Sequence, residues 1–551
     1  MMTLLLLLLP LMGQIEADII FTNCVVYTVN PRQPRAEAVA TKGDRIVYVG
    51  SAEGASLLKG PKTKVIDLKG KAVYPGFTDS HCHLRGIGER ELSLNLEGTK
   101  SLREMLERVK EHSADVGKGE WVIGRGWIET FWSPPVFPTS RDLDSVVSDK
   151  PVVLYRADGH AAVVNTVALK LSGISRDTPD PFGGKILRND SGLPTGVLLD
   201  RAQELVTKHI PAPTLHQLEK AIITGAERSL RLGWTELQDA GGTLSEAELI
   251  HSLCKQGKLR IRIYKAVHGP SEDAYKLIRQ GAKIGVCGNR FTLRSIKVLL
   301  DGALGSRGAA MMEPYLDEAT SGFLTVKEEE LFPMLLEALR FGIQVQTHAI
   351  GDLANRRILD LYERAFAAVP PNERLVPEPR WRVEHAQILS PADIGRFAKL
   401  GVIASMQPSH AISDLHFAPR RIGLQRLAGA YAWQSLLKSG AIIAAGSDAP
   451  VEAGDPLIEF YAAVVRRDMQ GYAGDGWHLE QALTREQALK MLTIWPAQAA
   501  MEEHLRGSIE VDKLADLTIL SADIMTIPEG EILKTRCFMT VVGGEIVYEN
   551  R

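Results

Sequence analysis

Eight apolar segments between Thr78 and Asp448, most followed by a helical stretch, narrow the fold of this chain more than any other feature. Strand-like segments fall at Thr78–His83, Glu236–Ala240, Arg262–Val267, Lys297–Asp301, Gln344–His348, Arg382–His385, Ile403–Gln407 and Ile442–Asp448. Between them, Leu353–Ala368 carries Leu, Ile and Phe at i, i+3 and i+4 spacing, as an amphipathic helix does, and Thr484–Leu492 reads the same way. A strand–helix unit repeated in this way predicts an α/β fold of the (β/α)8 TIM-like barrel type. The alternative is an open doubly wound sheet, but no GxGxxG follows the first strand to support it.

A chain of 551 residues is too long for one ordinary core. Short β segments punctuated by Gly, Asn and Asp occupy both ends, for example Arg45–Gly50 and Glu545–Tyr548. They predict one composite β-sandwich domain from residues 18–73 and 505–551, flanking a barrel from residues 74–84 and 215–504. Residues 85–214 are far more than one barrel helix requires. They read as an inserted cap, with the aromatic residues Trp127, Phe131, Trp132 and Phe137. A cap after the first strand is expected over the C-terminal mouth, where barrel active sites lie.

Charge excludes one class of partner. The 64 basic and 67 acidic residues leave a net charge of −3, with no basic excess to serve a nucleic-acid surface. Five scattered cysteines without a CxxC spacing argue against both a disulfide framework and cysteine-ligated metal. The apolar run at the N-terminus is shorter than the ~20 residues that span a bilayer, and no other stretch is long enough. Residues 1–17 are read as a signal peptide, although Lys and Arg are missing from their start. That reading implies a secreted or periplasmic protein; without it the protein is expected in the cytoplasm.

The segment Val73-Tyr-Pro-Gly-Phe-Thr-Asp-Ser-His-Cys-His83 ends a strand in His-x-His. Residues i and i+2 of a strand share a face, so His81 and His83 can aim two imidazoles at one metal. Lys297 sits in the otherwise apolar Ser295–Leu300, where a buried lysine needs an explanation. Either it pairs with a nearby Asp, or its neutral amine takes up carbon dioxide to give an anionic carbamate ligand. His348 and His385 end strands; each read alone is a structural histidine as readily as a ligand. Asp448 ends the last strand, where it initiates a turn, or binds metal and moves a proton.

The text around these positions resembles the amidohydrolase superfamily, and more narrowly amidohydrolase family 3, the YtcJ-like metal-dependent hydrolases. The stretches that carry the resemblance are Pro75–His83, Asp158-Gly-His160 with Asn165, Asp301–Arg307, Gln346–Asp352, Glu384-His385, Gln407–His410 and Gly446–Pro450. It spans about residues 18 to 549. It implies two divalent metal ions: His81 and His83 would hold one with Asp448, His348 and His385 the second, and Lys297 would bridge them as a carbamate. Nitrogen-rich ligation favours zinc, with manganese or iron as alternatives. The implied activity is hydrolysis of a non-peptide C–N bond (an amide, N-acyl, N-formyl or cyclic amide) by a metal-bridging hydroxide, with Asp448 as acid and base. An ester, lactone or phosphotriester hydrolase on the same centre is the alternative, and a non-catalytic scaffold a remote one. His160, Trp127, Arg307 and His410 are expected to touch a small-molecule substrate, and a homodimer is left open.

Overall fold

A computed structural model describes residues 16–550 except 130–131, 157–160, 182–183, 306 and 475–476. The expected signal peptide falls almost wholly outside the described residues. Contacts divide the chain into two units: residues up to Leu84 together with Ala226 onwards, and Arg85–Gly225.

The first unit contains the barrel. Its strands are β1 (Phe77–Cys82), β2 (Trp234–Asp239), β3 (Arg262–Gly269), β4 (Phe291–Leu299), β5 (Gln344–Ala349), β6 (Arg382–His385), β7 (Ile403–Met406) and β8 (Ile443–Ala445). Each pairs in parallel with the next, so the sheet runs in sequence order from β1 to β8. The ends then approach: Asp448 N–H donates to His81 O at 2.7 Å and His83 N–H to Ala449 O at 2.8 Å. The nearly closed barrel is thus joined at its C-terminal rim by the backbone of three expected ligands. Gly446 permits the approach, because a Cβ there would collide with the His81 backbone. Asp79 fastens the same junction by accepting from Ser447 N–H at 2.9 Å and Ser447 Oγ at 2.5 Å.

Two strand boundaries differ from those expected by three residues or more. β4 begins at Phe291, so Lys297 lies inside it rather than at its start. β8 ends at Ala445, and Asp448, expected within it, takes a φ of 53° outside the extended conformation.

Strand register decides which residues meet. Paired residues in neighbouring strands face the same side of a sheet. Lys297, Gln346 and Arg382 form one such row, and Leu299, His348 and Glu384 the next. The interior is polar: Gln346 donates to Ser295 Oγ at 3.2 Å, and Tyr264 OH to Gln344 at 3.0 Å. The other face is apolar, with Ile296, Val298 and Val345 fully buried.

The two ends of the chain also belong to the first unit. A six-strand sheet joins Leu517–Leu520, Cys537–Val542 and Glu545–Glu549 to Ala72–Pro75, Val25–Tyr27 and Arg35–Ala36. A four-strand sheet holds Arg45–Gly50, Ala38–Lys42, Ile19–Thr22 and Lys64–Asp67. Phe21, Val39 and Ile46 of the second pack with Val26, Val73, Ile519 and Val541 of the first in one core.

The second unit has its own six-strand sheet, in the order Gly184–Arg188, Pro194–Asp200, Ala161–Val164, Val152–Arg156, Val122–Trp127, Leu94–Asn95. Apolar residues cover both faces: Val152 and Leu154 join one cluster, Val153 the other. Trp127 belongs to the first cluster. It is fully buried, its indole N–H donates to Leu154 O at 2.9 Å, and its ring lies 6.0 Å from that of Phe137. Trp127, expected as a substrate contact, is therefore a packing residue of this unit's core. The five cysteines are all free. Among the described residues no helix is long and apolar enough to cross a membrane.

Candidate metal centre

The residues at the C-terminal ends of β1, β4, β5, β6 and β8 converge. His81 is fully buried and divides its two nitrogens. Nδ1 lies 2.5 Å from Glu384 Oε2, while Nε2 lies 3.1 Å from Lys297 Nζ and 3.6 Å from Asp448 Oδ1. With the Nδ1 proton given to Glu384, the Nε2 lone pair is the one turned to the centre. His83 Nε2 lies 3.1 Å from the same Asp448 oxygen. His385 is oriented from behind by Gln407 Oε1, 2.7 Å from its Nδ1. The His385 ring lies 4.9 Å from that of His81 and 4.4 Å from that of His348.

His385 reaches this point only because its backbone leaves the strand. Glu384 and His385 are consecutive and would point to opposite faces of β6. A φ of 73° at His385 breaks the alternation, and both side chains reach the centre. Left-handed backbone at a non-glycine residue costs free energy and concentrates at functional sites. Asp448, also left-handed, follows the same pattern.

Burial keeps the nitrogens ready to bind. It pushes the His81 imidazole down to about 4, helped by the charge of Lys297. Burial, with His348 and His81 beside it, holds His385 well below the ordinary histidine range. Burial likewise lowers Lys297, against the pull of Glu384 and Asp448. Burial opposes ionisation of Asp448, but the His83 hydrogen bond and the surrounding imidazoles outweigh it, and the carboxyl is held well below its usual range. Glu384 is also kept ionised against burial, by His81, Lys297 and Arg382. Burial thus favours the neutral imidazole at His81 and His385, the protonation state in which a histidine binds metal.

Several ligand atoms here make no hydrogen bond among the described residues. His348 Nε2, His410 Nε2 and Glu384 Oε1 are buried without a hydrogen bond. Orphaned buried nitrogens are costly, and a divalent cation satisfies them. Among the described residues two donor sets are compact enough for an ion, His81 with His83 and Asp448, and His385 with His410 and Asp448. Lys297 Nζ lies 3.1 Å from His81 Nε2 and has no salt bridge among the described residues, although Glu384 and Asp448 attract its charge.

The remaining sequence candidates separate. His410 lies at the centre, its Nε2 3.6 Å from Asp448 Oδ2. Arg307 is paired with Asp317 at 2.9 Å and Glu318 at 3.1 Å on the loop after β4. His160 lies outside the described residues. Sequence reasoning assigned no role to Glu384, Gln407, Asp79 or Asp301. Asp301 accepts the backbone N–H groups of Ile350, Gly351 and Ala310 and faces His348 Nε2 at 3.3 Å. Polar residues in buried strands were the available signal for Glu384 and Gln407.

Known proteins share this fold. The crystal structure of an uncharacterized metal-dependent hydrolase from Pyrococcus horikoshii superimposes with a TM-score of 0.75, at 30% identity, over 93% of this chain and 99% of that one. Barrel, site and this likeness define a metal-dependent hydrolase. Residues 64–548 match the profile of the Amidohydrolase family. YtcJ of Bacillus subtilis, described as an amidohydrolase, is 34% identical over 95% of this chain and 98% of its own length. An N-substituted formamide deformylase of Arthrobacter pascens is 29% identical over 97% of this chain and 98% of its own. The chain belongs to the amidohydrolase family.

Proposed function

We propose that this protein hydrolyses a non-peptide C–N bond, in a small amide, N-acyl, N-formyl or cyclic amide substrate, at a centre of two divalent metal ions. The observation that carries the reading is the cluster of histidines around Asp448, in which His348 Nε2 and His410 Nε2 are buried without a hydrogen bond among the described residues. His81, His83 and Asp448 fit one ion, and His385 stands in the set that fits another. Zinc suits the nitrogen-rich donors. The chemistry such ions supply when bound is Lewis-acid polarisation and acidification of water.

Asp448 is the acid–base group. Its carboxylate is ionised at neutral pH and sits at the middle of the cluster. It takes the proton from attacking water, whose oxygen bonds to the acyl carbon, and returns it to the leaving nitrogen as the C–N bond breaks. Glu384 and Gln407 hold the His81 and His385 rings so that their Nε2 atoms face inward. Lys297, buried and biased to the neutral amine, is suited to add carbon dioxide and lose a proton, giving a carbamate. Support for a C–N bond comes from the name of the Arthrobacter relative, a formamide deformylase.

Metal analysis of the purified chain, then turnover on a panel of amides, N-formyl compounds and lactones, tests the reading. About two zinc ions per chain and turnover of an amide or N-formyl compound are expected. Turnover of lactones alone would reassign the reaction, and a folded chain that takes up no metal would end it.

A further inference from the structure

We propose that Cys254 and Cys287 form a reversible disulfide, a redox-sensitive clasp that ties the helix Leu244–Lys255 to the turn Val286–Asn289 ahead of β4, on the barrel face opposite the metal centre.

The two cysteines are 33 positions apart in sequence, and their side chains meet: the Cys254 S–H donates to Cys287 Sγ. The other thiols turn elsewhere. Cys24 Sγ donates to Glu37 O at 3.3 Å, Cys537 Sγ lies 3.3 Å from Thr540 Oγ1, and Cys82 lies among the charges of Asp79, Asp239 and Lys265.

Both segments are fixed around the pair. One turn before Cys254, the His251 ring stacks on Phe291, 5.1 Å away and inclined by 8°. Phe291 closes the turn through a bridge to Val286, and Arg262 Nη1 donates to Asn289 O at 2.8 Å. Asp516 anchors that guanidinium, accepting from Nε at 2.7 Å. Cys287 takes a φ of 55° between Gly285 at 62° and Gly288 at 67°. Left-handed backbone is ordinarily glycine's place, so a cysteine here costs free energy that its neighbours do not. A Cβ at Gly288 would meet nothing within 4 Å, which leaves one side of the turn open to a small oxidant.

The environments of the two thiols give the order of events. Cys254 is buried, whereas Cys287 is partly exposed. Burial, and then the facing Cys287 thiol, push Cys254 up to about 12, against the charges of Arg290 and Arg262. Cys254 therefore stays a thiol, and an oxidant reaches Cys287 first. With hydrogen peroxide, the Cys287 sulfur attacks one oxygen, giving a sulfenic acid and water. The Cys254 sulfur then attacks the Cys287 sulfur. The S–S bond forms as the S–O bond breaks, and the hydroxyl leaves with the Cys254 proton as a second water. Two thiols lose two electrons, and peroxide is reduced to two waters. The closed loop restricts the unfolded chain, so the oxidised protein is the more stable form.

The test uses the full chain, purified under dithiothreitol, freed of it and treated with hydrogen peroxide. Trypsin digestion without reductant should give residues 232–255 joined to residues 284–290, the peptides that hold Cys254 and Cys287. Free thiols counted in denaturant should fall from five to three. The melting temperature of wild type should rise on oxidation and return with dithiothreitol, while Cys287→Ser shows neither the joined peptides nor the rise. Five thiols remaining after peroxide, or Cys287 oxidised beyond the sulfenic acid with Cys254 still free, would overturn the disulfide. Joined peptides with an unchanged melting temperature would overturn the clasp.

Discussion

His81 and Glu384, 303 residues apart in sequence, meet at 2.5 Å between His81 Nδ1 and Glu384 Oε2, both side chains almost wholly buried. This contact selects the tautomer that turns His81 Nε2 toward Lys297 and Asp448. Carboxylates behind metal-binding histidines act in this way, and losing one costs about 10–100-fold in metal affinity. Glu384→Gln should lower zinc affinity by an amount in that range, measured by competition with a chelating dye. Unchanged affinity would remove the role.

Asp448→Asn should keep the barrel closed, because the junction uses the backbone N–H of residue 448. The amide cannot carry a proton between water and leaving nitrogen. Turnover at saturating zinc should fall by at least about 10²–10⁴-fold. A kcat close to wild type would show that another group moves the proton.

Lys297→Ala tests the carbamate. If the carbamate forms, the variant loses an anion between two cations in a poorly screened site, so metal content and turnover should both drop steeply. Acetate or propionate should restore part of each, since its two oxygens occupy the vacated place. Full metal content in the untreated variant, or a bare lysine by intact mass in metal-replete wild type, would rule the carbamate out.

Burial raises the carboxyl of Asp414 to about 6, although Tyr431 OH donates to it at 2.6 Å. A carboxyl whose folded value lies above its unfolded value favours folding when protonated. Its contribution is complete below about pH 4 and is lost as pH rises through about 6. In urea titrations of metal-free protein, wild type should therefore lose stability relative to Asp414→Asn across that window. Parallel pH profiles for the two proteins would contradict it.

The barrel was legible in sequence because its signals are local. Strand length, helical spacing and a polar residue at each strand end are set within a dozen positions, and the His-x-His of β1 needs only the two-residue period of a strand. The expected ligands lay at strand ends for the same reason. Pairings across the barrel were not legible. Nothing near Glu384 indicates that its partner is His81, or near His410 that it faces Asp448, because register and closure of the whole sheet set those distances.

Trp127 shows the same limit from the other side. An aromatic residue in an insertion reads equally as a ligand contact or as core, and only the packed sheet placed its indole against Leu154 O. By itself the sequence determined a chain of βα units whose strand ends carry side chains of metal-ligand type. The tertiary structure decided which nitrogens those side chains turn inward. It did so through the left-handed backbone at His385 and Asp448 and the buried acceptors Glu384 and Gln407. Strain and burial of this kind exist only once residues from distant strands share one low-dielectric space.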